Sequence, residues 1–282
     1  MAKFLGAHIS KESSILKTIQ KMTSFEGNAL QLFASNPRSI TFPDLDKIKS
    51  ESPYIIDYCH HYNFKLVIHS PYTINLASSL TNGKKTLEIE DCYWVKLLLH
   101  ELQAADIIGA VGCVVHVGKY VKLTKQEGLE NMRNTIKFII SKMKELKIYS
   151  KLMLETPAGQ GTELLTDLDD FIDFYNSFTK TEKKHFKICI DTAHVWSAGY
   201  DPLDAYNKIA KTNEEDILVI HLNNSKKEKG SKVDVHDDIF NGEIDSEQLI
   251  KVLKRTNDNI VVILEKPSEN LKDEIKKIKS LL

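Results

Sequence analysis

Nine side chains in this chain of 282 residues are of types that bind divalent metal ions, and most share one local setting. Short apolar runs end in an imidazole or a carboxylate: KLVIH at His69, CVVH at His116, KLMLE at Glu155, KICID at Asp191, ILVIH at His221 and IVVILE at Glu265. His194 follows Asp191 by three residues in DTAH, and Asp234 and His236 lie in a charged segment beyond His221. Imidazole with carboxylate and no cysteine suits zinc, manganese or iron in a catalytic rather than a structural site. At about three protein ligands per catalytic metal, with one carboxylate free to bridge, the nine would serve two or three ions. Clustered cations of this kind stabilise attack on a phosphodiester or polarise a sugar carbonyl. Taken singly, each residue has an ordinary explanation. Glu265 could pair with a lysine, Asp234 and His236 could be solvated loop residues, and His8, His60, His61, His100 and His185 show how little one histidine means.

The nine converge only if the runs that carry them belong to one sheet. Eight strand-like runs are recognisable, over 3–10, 28–35, 65–72, 113–118, 151–156, 186–191, 216–224 and 259–266. Helical spacing covers Ser13–Met22, then 44–62, where Pro53 should break or restart the helix. A long amphipathic helix is expected over 84–108, with Leu87, Trp94, Leu98 and Leu102 on one stripe. Thr124 and Glu127 make a capping box opening a helix to about Leu146. Further helices are expected over 166–178, from Pro202, from Ser246 and, capped by Ser268, at the end of the chain. Most of the strands are nearly continuous apolar runs, as in strands buried on both faces. Alternation at this length predicts an α/β fold, a single (β/α)8 TIM barrel over residues 1–282, with the metal site at the C-terminal face of the strands. An open doubly wound sheet lacks support, because no G-x-G-x-x-G follows the first strand.

Net charge is -1, which neither announces a nucleic-acid binder nor excludes one. The four cysteines form no C-x-x-C pair and read as free thiols of a reducing compartment. The N-terminus lacks the form of a signal peptide, and no run approaches the roughly 18 apolar residues of a membrane span. A soluble intracellular protein is expected, and a monomer, since no exposed apolar helix stands out.

GAHIS, HSPYTINLAS, HVG, LETPAGQG, DTAH, HLNNSK and VDVH resemble the motifs of the endonuclease IV family, the zinc-dependent apurinic/apyrimidinic endonucleases. The resemblance runs from His8 to Glu265. It implies three zinc ions: one held by His69, His116 and Glu155; a second by Glu155, Asp191, His221 and Glu265; a third by His194, Asp234 and His236. The implied partner is double-stranded DNA containing abasic sites. The implied reaction is hydrolysis of the phosphodiester 5′ to the lesion, leaving a 3′-hydroxyl and a 5′-deoxyribose phosphate, with Glu155 and Glu265 as catalytic residues. Arg38 in SNPRS and Tyr72 in HSPY match family residues that enter the DNA near the lesion, and a wedge there would offset the cost of flipping the nucleotide. The lysines between Lys226 and Lys232 would contact phosphates.

Several positions depart from the family pattern. Asn224 stands where an acid is usual, Val235 where an arginine is, Thr73 where a leucine often follows the tyrosine, and Phe240 and Asp245 where glycines are. The ligand set is untouched. The alternative is a one-metal sugar isomerase or epimerase on the same barrel, using Glu155, Asp191, His221 and Glu265 alone. Such an enzyme has no role for His69, His116, His194, Asp234 and His236.

Overall fold

The apolar runs become eight parallel strands, and each pairs with its neighbour in the chain until the last pairs with the first. In the computed structural model, which describes residues 3–82, 85–266 and 269–282, these are β1 (Phe4–His8), β2 (Ala29–Leu32), β3 (Lys65–His69), β4 (Gly112–Val115), β5 (Lys151–Glu155), β6 (Phe186–Asp191), β7 (Ile217–His221) and β8 (Val261–Leu264). The sheet is a closed barrel. Closure aligns Phe4 with Val261 on one side of β1 and Gly6 with Ala29 on the other. Gly6 is required there, because a Cβ would come within 1.7 Å of the Ala29 carbonyl oxygen.

Around the barrel lie α1 (Ile15–Ser24), α2 (Leu45–His61), α3 (Tyr93–Ile107), α4 (Lys125–Glu145), α5 (Leu168–Asn176), α6 (Thr192–Ser197), α7 (Pro202–Asn213), α8 (Ser246–Arg255) and α9 (Leu271–Leu281). Local chemistry explains their starts. Thr124 and Glu127 form the predicted reciprocal capping box of α4, and Pro202 occupies the first turn of α7. The principal apolar core lies between helices and strands, where Trp94, Leu98 and Leu102 of α3 are buried as their stripe requires.

Four expectations need correction or limitation. Pro53 does not break α2, which runs through it. The carbonyl of Lys49, whose partner the proline removes, accepts the Ser52 hydroxyl at 3.0 Å, and Pro53 faces solvent. The helix expected over 84–108 begins at Tyr93. Thr81–Asn82 and Lys85–Thr86 pair as an antiparallel ribbon, and a single 3-10 turn covers Ile89–Asp91. Apolar spacing thus extended too far, since Leu87 packs on the core from outside the helix. An extra helix, α6, follows β6 directly. Ser268, the expected cap of α9, lies outside the described residues.

Candidate metal centre

Alternation along the strands builds the centre on a floor of apolar side chains. Val67, Val114, Met153, Cys189, Val219 and Ile263 cluster with Phe4, Ala29 and Val261. Two residues further on, hence on the same face, the same six strands present His69, His116, Glu155, Asp191, His221 and Glu265. His194 arrives by a different route. The Asp191 carboxylate caps α6 by accepting the His194 backbone N–H at 2.8 Å, so D-T-A-H folds into a first helical turn with His194 at its third position. His236 is carried by a two-stranded ribbon in which Ser225 pairs with His236 and Asn224 with Asp237.

The nine side chains meet at one rim, with ligand atoms within 4.8 Å of one another in three groups: His69, His116 and Glu155; Glu155, Asp191, His221 and Glu265; and Asp191, His194 and His236. Asp234 Oδ1 joins the last group, 3.3 Å from His194 Nε2 and 3.0 Å from His236 Nε2. Asp191 therefore reaches two groups, as Glu155 does. Other separations are 3.5 Å between His69 Nε2 and Glu155 Oε2, 3.1 Å between His116 Nε2 and Glu155 Oε2, and 3.3 Å between His221 Nδ1 and Glu265 Oε2. Tetrahedral ligands about 2.0–2.2 Å from one zinc ion stand roughly 3.3–3.6 Å apart, so the donors already have the spacing of a shared cation.

Hydrogen bonds behind the imidazoles aim their lone pairs. His69 Nδ1 lies 2.8 Å from the Ser70 carbonyl and His194 Nδ1 lies 2.9 Å from that of Thr156. A carbonyl only accepts, so both rings carry the proton on Nδ1 and turn Nε2 inward. Glu155 Oε2, His194 Nε2 and His236 Nε2 are buried and, although imidazole or carboxylate atoms lie 3.1, 3.3 and 3.0 Å away, none makes a well-directed hydrogen bond. Unpaired buried donors and acceptors are costly unless something absent from the polypeptide completes them, and these three lie within the candidate ligand groups. The donor set thus fits divalent cations.

Charge compensation follows the same geometry. Burial would raise Glu155, but the imidazoles of His116, His221 and His194 hold it well below the usual carboxylate range. Burial raises Asp191, with Glu265 and Glu155 adding to the rise against His194 and His236. Burial would lower His194 and His236, yet Asp191 and Asp234 lift both above the ordinary imidazole range.

Three residues at the centre escaped the sequence reading. His8, set aside as a background histidine, stands at the rim end of β1 with Nδ1 3.8 Å from Glu265 Oε1. Gln31, at the same level on β2, donates to Glu265 Oε1 at 2.8 Å. Asn223 donates to Asp191 Oδ2 at 2.6 Å and Glu265 Oε2 at 3.1 Å, clamping two carboxylates. For His8 and Gln31 the signal was available: each lies two residues past the inward-facing Gly6 or Ala29.

Tyr72 is 59% exposed and stands between two clefts of about 690 and 390 Å³ that open on the centre. Its backbone N–H bonds the Pro37 carbonyl at 2.9 Å, and the Thr73 hydroxyl bonds the Ser39 carbonyl at 3.0 Å. The unusual threonine thus ties the Tyr72 loop to the loop that exposes Arg38. Asn224 also has a defined task. Its amide donates to the carbonyls of Ile239 and Ile244, both at 2.8 Å, which the usual acid could not do when ionised. Asp245 caps α8 by accepting the Glu247 N–H at 3.0 Å, and Lys277 Nζ lies 3.5 Å from the centre of the Phe240 ring. Val235 is exposed, and no contact explains its replacement of an arginine. The lysine-rich segment is exposed and docks on α6, where the Trp196 indole donates to the Lys227 carbonyl at 3.0 Å.

Residues 20–281 match the family model described as Xylose isomerase-like TIM barrel, the class that the closed barrel defines. A probable endonuclease 4 of Mycoplasma genitalium is 32% identical over 99% of this chain and 97% of its own length. One from Aster yellows witches'-broom phytoplasma is 31% identical over 97% of this chain and 93% of its own. The crystal structure of endonuclease IV from Thermus thermophilus superposes with a TM-score of 0.75 at 23% identity, over 98% of this chain and 97% of that one, a likeness of fold. This chain belongs to the endonuclease IV family of metal-dependent nucleases. Among the described residues no helix is long and apolar enough to cross a membrane.

Proposed function

We propose that the protein cleaves the phosphodiester 5′ to abasic sites in double-stranded DNA, leaving a 3′-hydroxyl and a 5′-deoxyribose phosphate, with three zinc ions bound at the rim. The observation that carries the reading is the surplus of ligands. Glu155, Asp191, His221 and Glu265 suffice for a single-ion sugar isomerase, and His69, His116, His194, Asp234 and His236 would then converge without purpose. His69, His116 and Glu155 would hold one ion, Glu155, Asp191, His221 and Glu265 a second, and His194, Asp234 and His236 a third. Asp191, within reach of the last group as well, would be a second carboxylate able to serve two ions. Bound cations would supply Lewis acidity and neutralise charge on a phosphate.

The chain's own residues do the rest. Glu155, shared by two groups of donors, and Glu265, a member of one of them, would act as the catalytic carboxylates. Tyr72, on the wall between the clefts, would stack on or wedge beside an extruded sugar, and Arg38 would enter the duplex from the loop tied to it. Lys226, Lys227, Lys229 and Lys232 are exposed for contact with phosphates. The free cysteines support a reducing, intracellular setting and a monomer is expected in solution.

The test is incision of an end-labelled duplex carrying one abasic site, before and after prolonged chelation. A single cut 5′ to the lesion, lost on chelation and restored by zinc, is the expected result. No cut by folded protein carrying metal would overturn the reading and turn attention to ketose isomerisation.

A further inference from the structure

We propose that Gln31 is a positioning residue for this centre: its single carboxamide sets the tautomers of both His221 and His8, leaving His221 Nδ1 free for a cation and turning the remaining N–H of His8 to the substrate cleft.

The side chain is wholly buried, and each of its bonds constrains the next. Gln31 Nε2 lies 2.8 Å from Glu265 Oε1. An ionised carboxylate only accepts, so the nitrogen end of the amide must face it. That turns Gln31 Oε1 to His221 Nε2, 2.8 Å away. An amide oxygen also only accepts, so Nε2 of His221 holds its proton. Nδ1 is then the nitrogen left for a cation: without metal its proton points to Glu155 Oε1 at 2.9 Å and Glu265 Oε2 at 3.3 Å, and a bound cation would take that proton's place. The second N–H of Gln31 meets His8 Nδ1 at 3.1 Å. An amide nitrogen offers no lone pair, so His8 Nδ1 is the acceptor and a neutral His8 carries its proton on Nε2. Among the described residues no protein hydrogen bond reaches that atom. The His8 ring lines the larger cleft with Tyr72, His236 and Glu265, where its N–H is placed to donate to an acceptor oxygen of the substrate backbone.

One amide therefore couples metal binding to substrate binding. Partners behind a metal-bound imidazole typically govern 10–100-fold in metal affinity. The substrate part of this assignment rests on the abasic-DNA reading, whereas the tautomers and the metal affinity do not.

The experiment uses the zinc-loaded protein labelled with 15N at histidine, and Gln31→Met and Gln31→Glu variants of matching size. In the wild type, two-bond 1H–15N spectra should show His8 protonated on Nε2 and His221 coordinating through Nδ1. Gln31→Met should weaken zinc roughly 10–100-fold, read by competition with a chromogenic chelator. Gln31→Glu, which keeps an acceptor for His221 and shares a proton with Glu265 but has no donor left for His8, should keep the His221 tautomer and lose that of His8. His8→Phe should raise KM for abasic duplex with zinc affinity unchanged. A wild-type His8 protonated on Nδ1, or a folded Gln31→Met with zinc affinity within twofold of wild type, would overturn the proposal. The expected spectra and affinities in a protein that cuts no abasic DNA would sink the DNA reading and leave the positioning role standing.

Discussion

Glu155 on β5 and His221 on β7 meet 2.9 Å apart, Oε1 to Nδ1, across the intervening strand β6, while the second oxygen of the same carboxylate stands 3.1 Å from His116 Nε2. One side chain thereby belongs to two ligand groups. Replacing it by an amide keeps the shape and removes the charge. Glu155→Gln should lose at least one equivalent of zinc and reduce incision by on the order of 10²–10³-fold, the cost of deleting one electrostatic stabiliser. Abasic DNA should still bind in part, through groups outside the centre. Zinc content by mass spectrometry and single-turnover incision check this, and full incision by the variant would remove Glu155 from its bridging role.

Metal loading should depend on pH with a definite sign. Burial works against charge on His116, His194 and His236, but nearby carboxylates outweigh it and raise all three above the ordinary imidazole range. A cation must displace those protons, so apparent affinity should rise with pH through the neutral range and fall as the medium is acidified. Calorimetry of zinc binding at pH 6.5 in buffers of different ionisation enthalpy should detect proton release. Its absence would contradict the charge pattern.

A buried carboxyl away from the centre gives a separate test. Glu101 of α3 accepts a hydrogen bond from the Ser35 hydroxyl, while its other oxygen has no partner. Burial pushes this carboxyl up from 4.5 to about 7, against the Ser35 bond and Lys11. A raised folded value means that the unfolded chain releases the proton first. The stabilising difference is intact below pH 4.5, declines up to pH 7 and stays lost above it, by up to ~3 kcal/mol at about 1.36 kcal/mol per pH unit. Glu101→Gln should lack this decline and exceed wild type in urea unfolding at pH 8, with the difference closing at pH 4.5. Equal stability at both pH values would contradict it.

Asn224 offers a prediction from hydrogen-bond inventory. Asn224→Asp leaves the carbonyls of Ile239 and Ile244 without donors and buries a charge against them. A loss of roughly 1–3 kcal/mol per stranded group is expected. Because the same residue pairs with Asp237 in the ribbon that carries His236, zinc affinity should fall with stability. Thermal unfolding with and without zinc measures both, and an unchanged Tm would show that the loop is held by other means.

That candidate ligands gather at one rim was legible in the sequence because the signal is local. A strand places every second side chain on one face, so an apolar residue followed two positions on by His or an acid defines both the barrel floor and its rim, as in Val67 with His69 or Met153 with Glu155. Capping chemistry is equally local, and Thr124 with Glu127 could be read directly. What failed locally was helix extent. Pro53 is tolerated because a neighbouring hydroxyl replaces the missing donor, and Leu87 keeps helical phase while belonging to a ribbon connection.

Only closure of the barrel decided the rest. Which side chain faces which at the rim depends on strands that lie far apart in the chain: Gln31 and Glu265 meet across 234 positions, His221 and Gln31 across 190. No periodicity carries those pairings: strand alternation marks His8 and Gln31 as inward-facing but not their partners, and Asn223 has no such signal. The residue types and their spacing determined that a metal-binding rim could form. The tertiary structure decided how its protons are arranged, because hydrogen-bond direction is a property of pairs, and these pairs exist only once the first and last strands have joined.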